Sequence, residues 1–365
     1  MNITYLANVR MPTEKAHGVQ IMKMCEAFAA RGDSVELVVP SRKTPIAEDP
    51  FAYYDTRRTF SIVRLPVLDT VRFGRFGFLL ETLTFAVAVL HYIRSHPSDL
   101  VFSRDEAVLY PISFFKRKLI WESHDGRFNF AVRRLFRVAD RIVVTTAGMR
   151  EAYITDGLDS HKVVLARNGV DLESMGCSGE EVGRLRKSLV SAGESVVLYA
   201  GRLDGWKGAE TLLAAADSLS PTLRIVIVGG EPDQIVALKQ KFPRVIFVGF
   251  VPYRMIGCYQ QAADMLILPN TGKDTISVSN TSPLKLFTYM TAGKPIIASD
   301  LPSIREVIGD DACYFVPADD PGALAQKIIA VASDNKGAQS RARRAREMVE
   351  AYSWNARAQT ILSPQ

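Results

Sequence analysis

The sequence predicts an α/β protein made of two doubly wound, Rossmann-like parallel sheets, and three observations carry that prediction. Short runs of Val, Ile and Leu bounded by Gly, Pro or Asp alternate with amphipathic helical stretches from end to end. The chain has 365 residues, more than one ordinary domain, and is 47% hydrophobic, enough for each half to fill its own core. The two halves also begin alike, each with an apolar strand, a glycine-bearing loop and a helix start.

In the first half the apolar runs are residues 3–7, 35–39, 100–103, 119–121 and 142–145. In the second they are residues 196–200, 224–228, 245–248, 265–268, 295–298 and 314–316. Continuous runs of four to six such residues suit strands covered by helices on both faces. The first strand of each half leads into a loop, with Gly18 in one half and Gly201-Arg202-Leu203 through Lys207-Gly208 in the other. Open α/β sheets bind ligands at the carboxyl ends of their strands, so two such units predict two sheets facing one cleft. The charged, glycine-bearing stretch 171–194 places the boundary, giving domains 1–175 and 176–351. Residues 338–349 read as a strongly basic helix, and Tyr352-Ser353-Trp354 opens a final one.

Composition narrows the function classes. The nearest approach to a membrane span, residues 76–90, is interrupted by Glu81, so no transmembrane helix is expected. Residues 1–5 read as a buried strand and not as an export signal, which predicts a cytoplasmic protein. Cys25, Cys177, Cys258 and Cys313 show no metal spacing and read as free, mostly buried thiols. The net charge of +6 suits anionic substrates or an anionic membrane surface. Its cations do not interleave with aromatics in a nucleic-acid module, so no nucleic-acid partner is expected.

Several residues stand where chemistry is expected. Arg202 and Lys207 lie beside exposed backbone N–H groups on a Gly-rich loop, a setting for a diphosphate. Ser282-Pro283 reads as the N-cap and first residue of a helix that stops at Gly293 and whose tip offers unpaired amides at the cleft. Gly18 has no Cβ to keep an anion from its backbone. His124 and Arg104 each follow the carboxyl end of an apolar strand, where His124 can donate to a sugar hydroxyl or a phosphate. The sequence contains no zinc spacing, GxSxG elbow, Walker loop, GxGxxG fingerprint or DxD pair.

Taken in order, residues 10–30, Glu122-Ser123-His124-Asp125, residues 167–171 (RNGVD), residues 201–208 (GRLDGWKG), residues 282–300 (SPLKLFTYMTAGKPIIASD) and Tyr352-Ser353-Trp354 resemble the family-4 retaining glycosyltransferases of the GT-B fold. The resemblance covers essentially the whole chain. It implies an acceptor-binding first domain, a second domain for a UDP- or GDP-sugar, and a final helix, residues 352–365, that packs back on the first. Gly18 and Arg104 would line the cleft, Arg202 and Lys207 would hold the diphosphate with the amide of Leu284 beside Ser282 and Pro283, and His124 would contact the transferred sugar. Phe250 and Val251 would pack against the nucleobase. The acceptor would be a glycan or a lipid-linked glycan, and neither cofactor nor metal is expected.

The segment departs from the family in one respect. Two glutamates eight positions apart are usual there, and this chain has Asn280 and Thr288 instead. Asn280 can still hydrogen-bond a sugar hydroxyl, while Thr288 is a weaker partner for a ribose, a loss of about 1–3 kcal/mol. The competing readings are a degenerate, non-catalytic nucleotide-sugar binder and a nucleotide-sugar 2-epimerase. Residues 71–76 and 114–118 mix aromatics with cations, so peripheral contact with the inner face of the membrane is a further expectation.

Overall fold

The computed structural model describes residues 1–173, 175–203 and 205–363. It divides into two compact units, Met1–Arg167 together with the C-terminal segment from Trp354, and Asn168–Ser353. The crossing therefore falls at Arg167, several residues before the expected 175, because Asn168 and Val170 already bond within the second unit.

The first unit holds a parallel sheet of seven strands: β1 (Asn2–Leu6), β2 (Ser34–Pro40), β3 (Ser61–Leu65), β4 (Leu100–Ser103), β5 (Leu119–Ser123), β6 (Arg141–Val144) and β7 (Val163–Leu165). Their spatial order is β3-β2-β1-β4-β5-β6-β7, so the winding reverses between β1 and β4. The second unit holds six parallel strands: β8 (Ser195–Ala200), β9 (Leu223–Val228), β10 (Ile246–Gly249), β11 (Met265–Leu268), β12 (Ile296–Ser299) and β13 (Tyr314–Val316), in the order β10-β9-β8-β11-β12-β13. Its switch point lies between β8 and β11, where Leu198 pairs with Leu266. In both units the central strands are buried on both faces, which is why they read as unbroken apolar runs.

Two strands are absent from the sequence reading. β3 lies at the sheet's edge with only Leu65 fully buried, and its Ser and Arg break the apolar run. β7, at the opposite edge, has just three residues. The four-thiol expectation holds for Cys25 and Cys313, both buried and free, but Cys177 and Cys258 form a disulfide. The helix Gly179–Leu189 packs against the helix Tyr253–Ala262 and brings these cysteines together across 81 residues of sequence, a pairing no local spacing reveals.

The reading of residues 76–90 also changes. The segment Val71–Ser95 contains an 18-residue window with a mean hydropathy of 1.7 and is long and apolar enough to cross a membrane by length and composition. Glu81 does not interrupt its outer surface, because that side chain is fully buried on the inner face with Thr82, Phe85 and Val89.

The C-terminal helix Trp354–Leu362 packs against the helix Ala16–Ala30. Arg357, 4% exposed, projects inward to Glu122 at the end of β5, which is fully buried. Its Nη2 donates to Glu122 Oε1 at 2.8 Å and its Nη1 to Oε2 at 3.3 Å, while Nε donates to the Arg167 carbonyl at 2.9 Å. Arg141 at the start of β6 donates to the Ile361 carbonyl at 2.6 Å. Removing one partner of a buried ion pair strands the other charge. Arg357→Ala is therefore expected to destabilise the first unit by about 3–5 kcal/mol in denaturant unfolding. Adding Glu122→Gln to it should recover part of that loss; an Arg357→Ala protein as stable as the parent would show that this ion pair does not hold the helix.

Candidate active site

The first unit gathers polar side chains at the carboxyl ends of β4 and β5 and beside the start of the helix Ala16–Ala30. Gln20, buried in that helix, donates from Nε2 to Glu122 Oε1 at 2.5 Å and lies 3.4 Å from His124 Nε2. Arg104 donates to the Gln20 Oε1 from just past β4. His124 Nε2 stands 2.6 Å from Glu122 Oε1.

Charge settles the protonation states. Burial alone would raise the Glu122 carboxyl, but Arg357, His124 and Arg104 outweigh it and hold the group well below the usual carboxylate range. Burial first, then the charge of Arg104, lowers His124 to about 4 against the pull of Glu122. His17 falls to about 3 through burial and the charges of Arg104 and Lys15. At neutral pH His124 is therefore an uncharged imidazole beside a carboxylate. Its Nε2–H donates to Glu122, which leaves Nδ1 as an acceptor. This modifies the expectation that His124 donates outward.

Gly18 lies in the first turn of its helix and not ahead of it. Its bare Cα is required by packing, since a Cβ there would lie 2.2 Å from Tyr54 Oη and 2.8 Å from the Thr13 methyl. Tyr54 in turn donates from Oη to the Thr13 carbonyl at 2.7 Å and accepts from the Thr13 amide at 2.7 Å. The loop before the helix is thus pinned in place.

In the second unit the loop after β8 is shaped by two glycines. Gly201 has φ +150°, and a Cβ there would lie 2.9 Å from Lys285 Nζ. Gly208 has φ +66°, and a Cβ would lie 1.7 Å from the Pro269 carbonyl oxygen, so the loop packs directly on the chain after β11. Tyr199 Oη donates to the Arg202 carbonyl at 2.6 Å. Arg202 is exposed and Lys207 half-buried, with its Nζ 5.4 Å from the centroid of the Trp206 ring.

Lys285 is the residue that sequence reasoning missed. Its ammonium lies over the Tyr199 ring at 4.0 Å and against Gly201, at the same strand end as Arg202. Its place inside SPLKLF gave no sign of this, because the contact depends on how the helix Leu284–Thr291 meets β8.

That helix starts one residue later than expected. Pro283, in extended conformation, occupies the N-cap position without a side-chain cap. Ser282 does not cap it, because its Oγ accepts from the Asn168 amide at 3.1 Å while its carbonyl accepts from Asn168 Nδ2 at 2.6 Å. The half-buried Leu284 opens the helix. Thr288 is buried; its hydroxyl accepts from Gln260 Nε2 at 2.8 Å and donates to the Lys285 carbonyl at 3.0 Å. Asn280 is half-buried at the end of the π-helical turn Ile276–Asn280, with Oδ1 accepting from Ser279 Oγ at 3.2 Å. Phe250, 57% exposed, and the half-buried Val251 follow the carboxyl end of β10. Among the described residues no cluster of three or more His, Cys, Asp or Glu could hold a metal.

Comparison with known proteins places this geometry. Residues 17–174 match the family described as Glycosyltransferase Family 4, and residues 194–334 match Glycosyl transferases group 1. A phosphatidyl-myo-inositol mannosyltransferase of Mycolicibacterium smegmatis is 29% identical over 226 residues, 60% of this chain and 55% of that protein. A D-inositol 3-phosphate glycosyltransferase of Nocardia farcinica is 26% identical over 196 residues, 49% of this chain and 42% of that one. The matched region thus spans about half the length of these relatives. Among solved structures, Anabaena HepE in complex with UDP-glucose superposes with a TM-score of 0.79 at 18% identity, covering 99% of this chain and 98% of that one. Sucrose-phosphate synthase from Thermosynechococcus elongatus gives 0.80 at 22% identity, covering 98% and 96%. With both sheets wound as in these neighbours and both halves matched by family models, the chain belongs to the family-4 glycosyltransferases of the GT-B fold.

Proposed function

We propose that the chain transfers a sugar from a UDP- or GDP-sugar to a glycan or lipid-linked acceptor, with retention of configuration and with protein cations in place of a metal ion. The observation that carries this reading is Lys285, brought against Gly201 beside Arg202 on the loop that also bears Lys207. Glycosyl transfer builds negative charge on the leaving diphosphate as the sugar becomes oxocarbenium-like. Cations already fixed in place stabilise that charge where it develops. Arg202, Lys207 and Lys285 serve this role with the amide of Leu284, and Pro283 and Ser282 set the helix tip that presents it.

In this reading the remaining residues divide the recognition. The Nδ1 of His124 accepts from a hydroxyl of the transferred sugar, and Glu122 holds the tautomer that makes it an acceptor. Asn280 offers a second sugar contact. Phe250 and Val251 flank the nucleobase. Gly18 and Arg104 lie on the side of the first unit that meets donor and acceptor. In this reading the reaction runs in the cytoplasm, at the inner face of the membrane where the acceptor is lipid-linked. UDP-glucose in the HepE complex, and the phosphatidyl-myo-inositol and D-inositol 3-phosphate in the names of the relatives, support a nucleotide-sugar donor and a glycan or lipid acceptor. The engagement of Thr288 by Gln260 favours one second reading, a nucleotide-sugar binder without turnover.

A thermal-shift series with UDP and GDP tests the site. The matching nucleotide should raise Tm, and Lys207→Ala or Arg202→Ala should weaken binding about tenfold or more, the loss of a charged hydrogen bond. Lys285→Met should do the same while leaving the unliganded Tm nearly unchanged; a full nucleotide response in all three variants would remove the diphosphate from this loop. Released nucleotide from a panel of UDP- and GDP-sugars separates transfer from binding alone. The pH profile tests His124. With its conjugate acid near 4, an uncharged His124 keeps kcat/KM flat from neutrality down to about pH 5, and activity falls as protonation claims Nδ1 near pH 4. An acid limb centred near 6.5 would mean that the imidazole is not held in this environment.

A further inference from the structure

The outer face of the helix Gly74–Ser95 has no partner within its unit. Phe76 is 87% exposed and Val87 67%, and Leu79, Leu80 and Leu83 between them are exposed as well. These residues recur at helical spacing and form one outward apolar stripe, opposite the buried face of Gly77, Glu81, Phe85 and Val89. Isolated exposed apolar residues are ordinary, but a continuous stripe of large ones marks a surface that something covers.

The charge around the stripe identifies the cover. Glu81 is the helix's one acidic residue, and it is fully buried on the other face. Arg72 and Arg75 stand exposed at the N-terminal end of the stripe and Arg94 at its C-terminal end. From there the surface continues without a break. The Arg94 guanidinium lies over the Phe115 ring at 5.1 Å, and Arg117 donates to the Ile93 carbonyl at 2.9 Å. Arg134 stacks on Phe114 at 4.5 Å, and Tyr110 bridges Phe114 and Phe130 with ring separations of 5.4 and 5.1 Å. Phe114 and Phe130 are 60% and 72% exposed. Residues 113–118 and 127–138, which carry these groups, contain Lys and Arg but no acid. Aromatic rings capped by guanidinium groups, next to an apolar stripe with cations at both ends, match a bilayer with anionic headgroups. The buried inner face of the helix excludes a spanning arrangement for this fold, since crossing would strip Phe85, Val89 and the buried Glu81 from the sheet.

We propose that this face of the first unit seats the protein on anionic lipid, with the Gly74–Ser95 helix lying in the plane of the interface and its Phe76–Val87 stripe among the acyl chains near the headgroups. The proposal is independent of the transfer reaction, because its readout is binding to lipid alone.

The experiment is flotation of the full chain with vesicles of phosphatidylcholine, alone or mixed with phosphatidylglycerol, at low and high salt. The chain should float with the anionic vesicles at low salt and far less with neutral ones. Phe76→Ser combined with Val87→Ser should reduce partitioning at least about tenfold, since both side chains are already exposed and their loss leaves the core intact. Arg75→Gln combined with Arg94→Gln should weaken the anionic preference and its salt dependence. Circular dichroism of each variant confirms the fold. Absence of binding to anionic vesicles overturns the proposal, and so does binding that survives both pairs of substitutions. A concentration-dependent dimer in sizing columns that Phe76→Ser abolishes would also overturn it, making a second copy the occupant of this face.

Discussion

A carboxylate with no exposed surface stands next to the last residue of β5, and much of the first unit follows from the need to compensate it. Glu122 would be costly alone in an apolar interior. Arg357 answers it from the last helix, 235 positions away, Gln20 from the first helix, and His124 from two residues on. The C-terminal segment is thereby tied to the first sheet through a charge and not only through apolar packing. The same carboxylate fixes which nitrogen of His124 carries the proton, so one interaction serves both the closure of the fold and the role proposed for His124.

The second unit solves a different problem, the placement of flexible cations. Its loop after β8 is held by contacts that involve little side-chain freedom. Gly208 lies against the Pro269 carbonyl, Tyr199 grips the Arg202 carbonyl, and Asn168 clasps Ser282 at both its hydroxyl and its carbonyl. The RNGVD stretch thus acts as a strut for the helix tip. Groups held in advance need no reorganisation when charge develops on a leaving group, which is how a few cations can lower a barrier substantially.

The legibility of the chain follows the same physics. Strands buried on both faces, such as β4 and β11, announce themselves as uninterrupted apolar runs, and their ends were readable. β3 was not, because an edge strand with one wet face mixes Ser and Arg into the pattern. The Gly74–Ser95 helix misled for the opposite reason. Its composition looks like core, yet half of its apolar side chains face outward, and only the tertiary structure shows that Glu81 is the inward one. His124 stood out because it follows a strand end directly, and Arg202 and Lys207 because they lie on the Gly-rich loop after one. Lys285, Gln20 and Arg357 did not, since each reaches the polar cluster of its own unit from a helix whose docking is set by contacts far away in sequence.

Thr288 brings these strands of reasoning together. A glutamate at this position would sit on a buried helix face, where a carboxylate needs a donor of matching strength. Here the neighbouring donor is Gln260, a neutral amide with none of its surface exposed, paired at 2.8 Å with a neutral hydroxyl. The hydroxyl also donates to the Lys285 carbonyl in the turn that carries that lysine, while Gln260 Oε1 is buried without a hydrogen-bond partner. In the proposed reading, a neutral pair at Thr288 and a lysine against the loop after β8 would shift the grip on the donor from the ribose towards the phosphates.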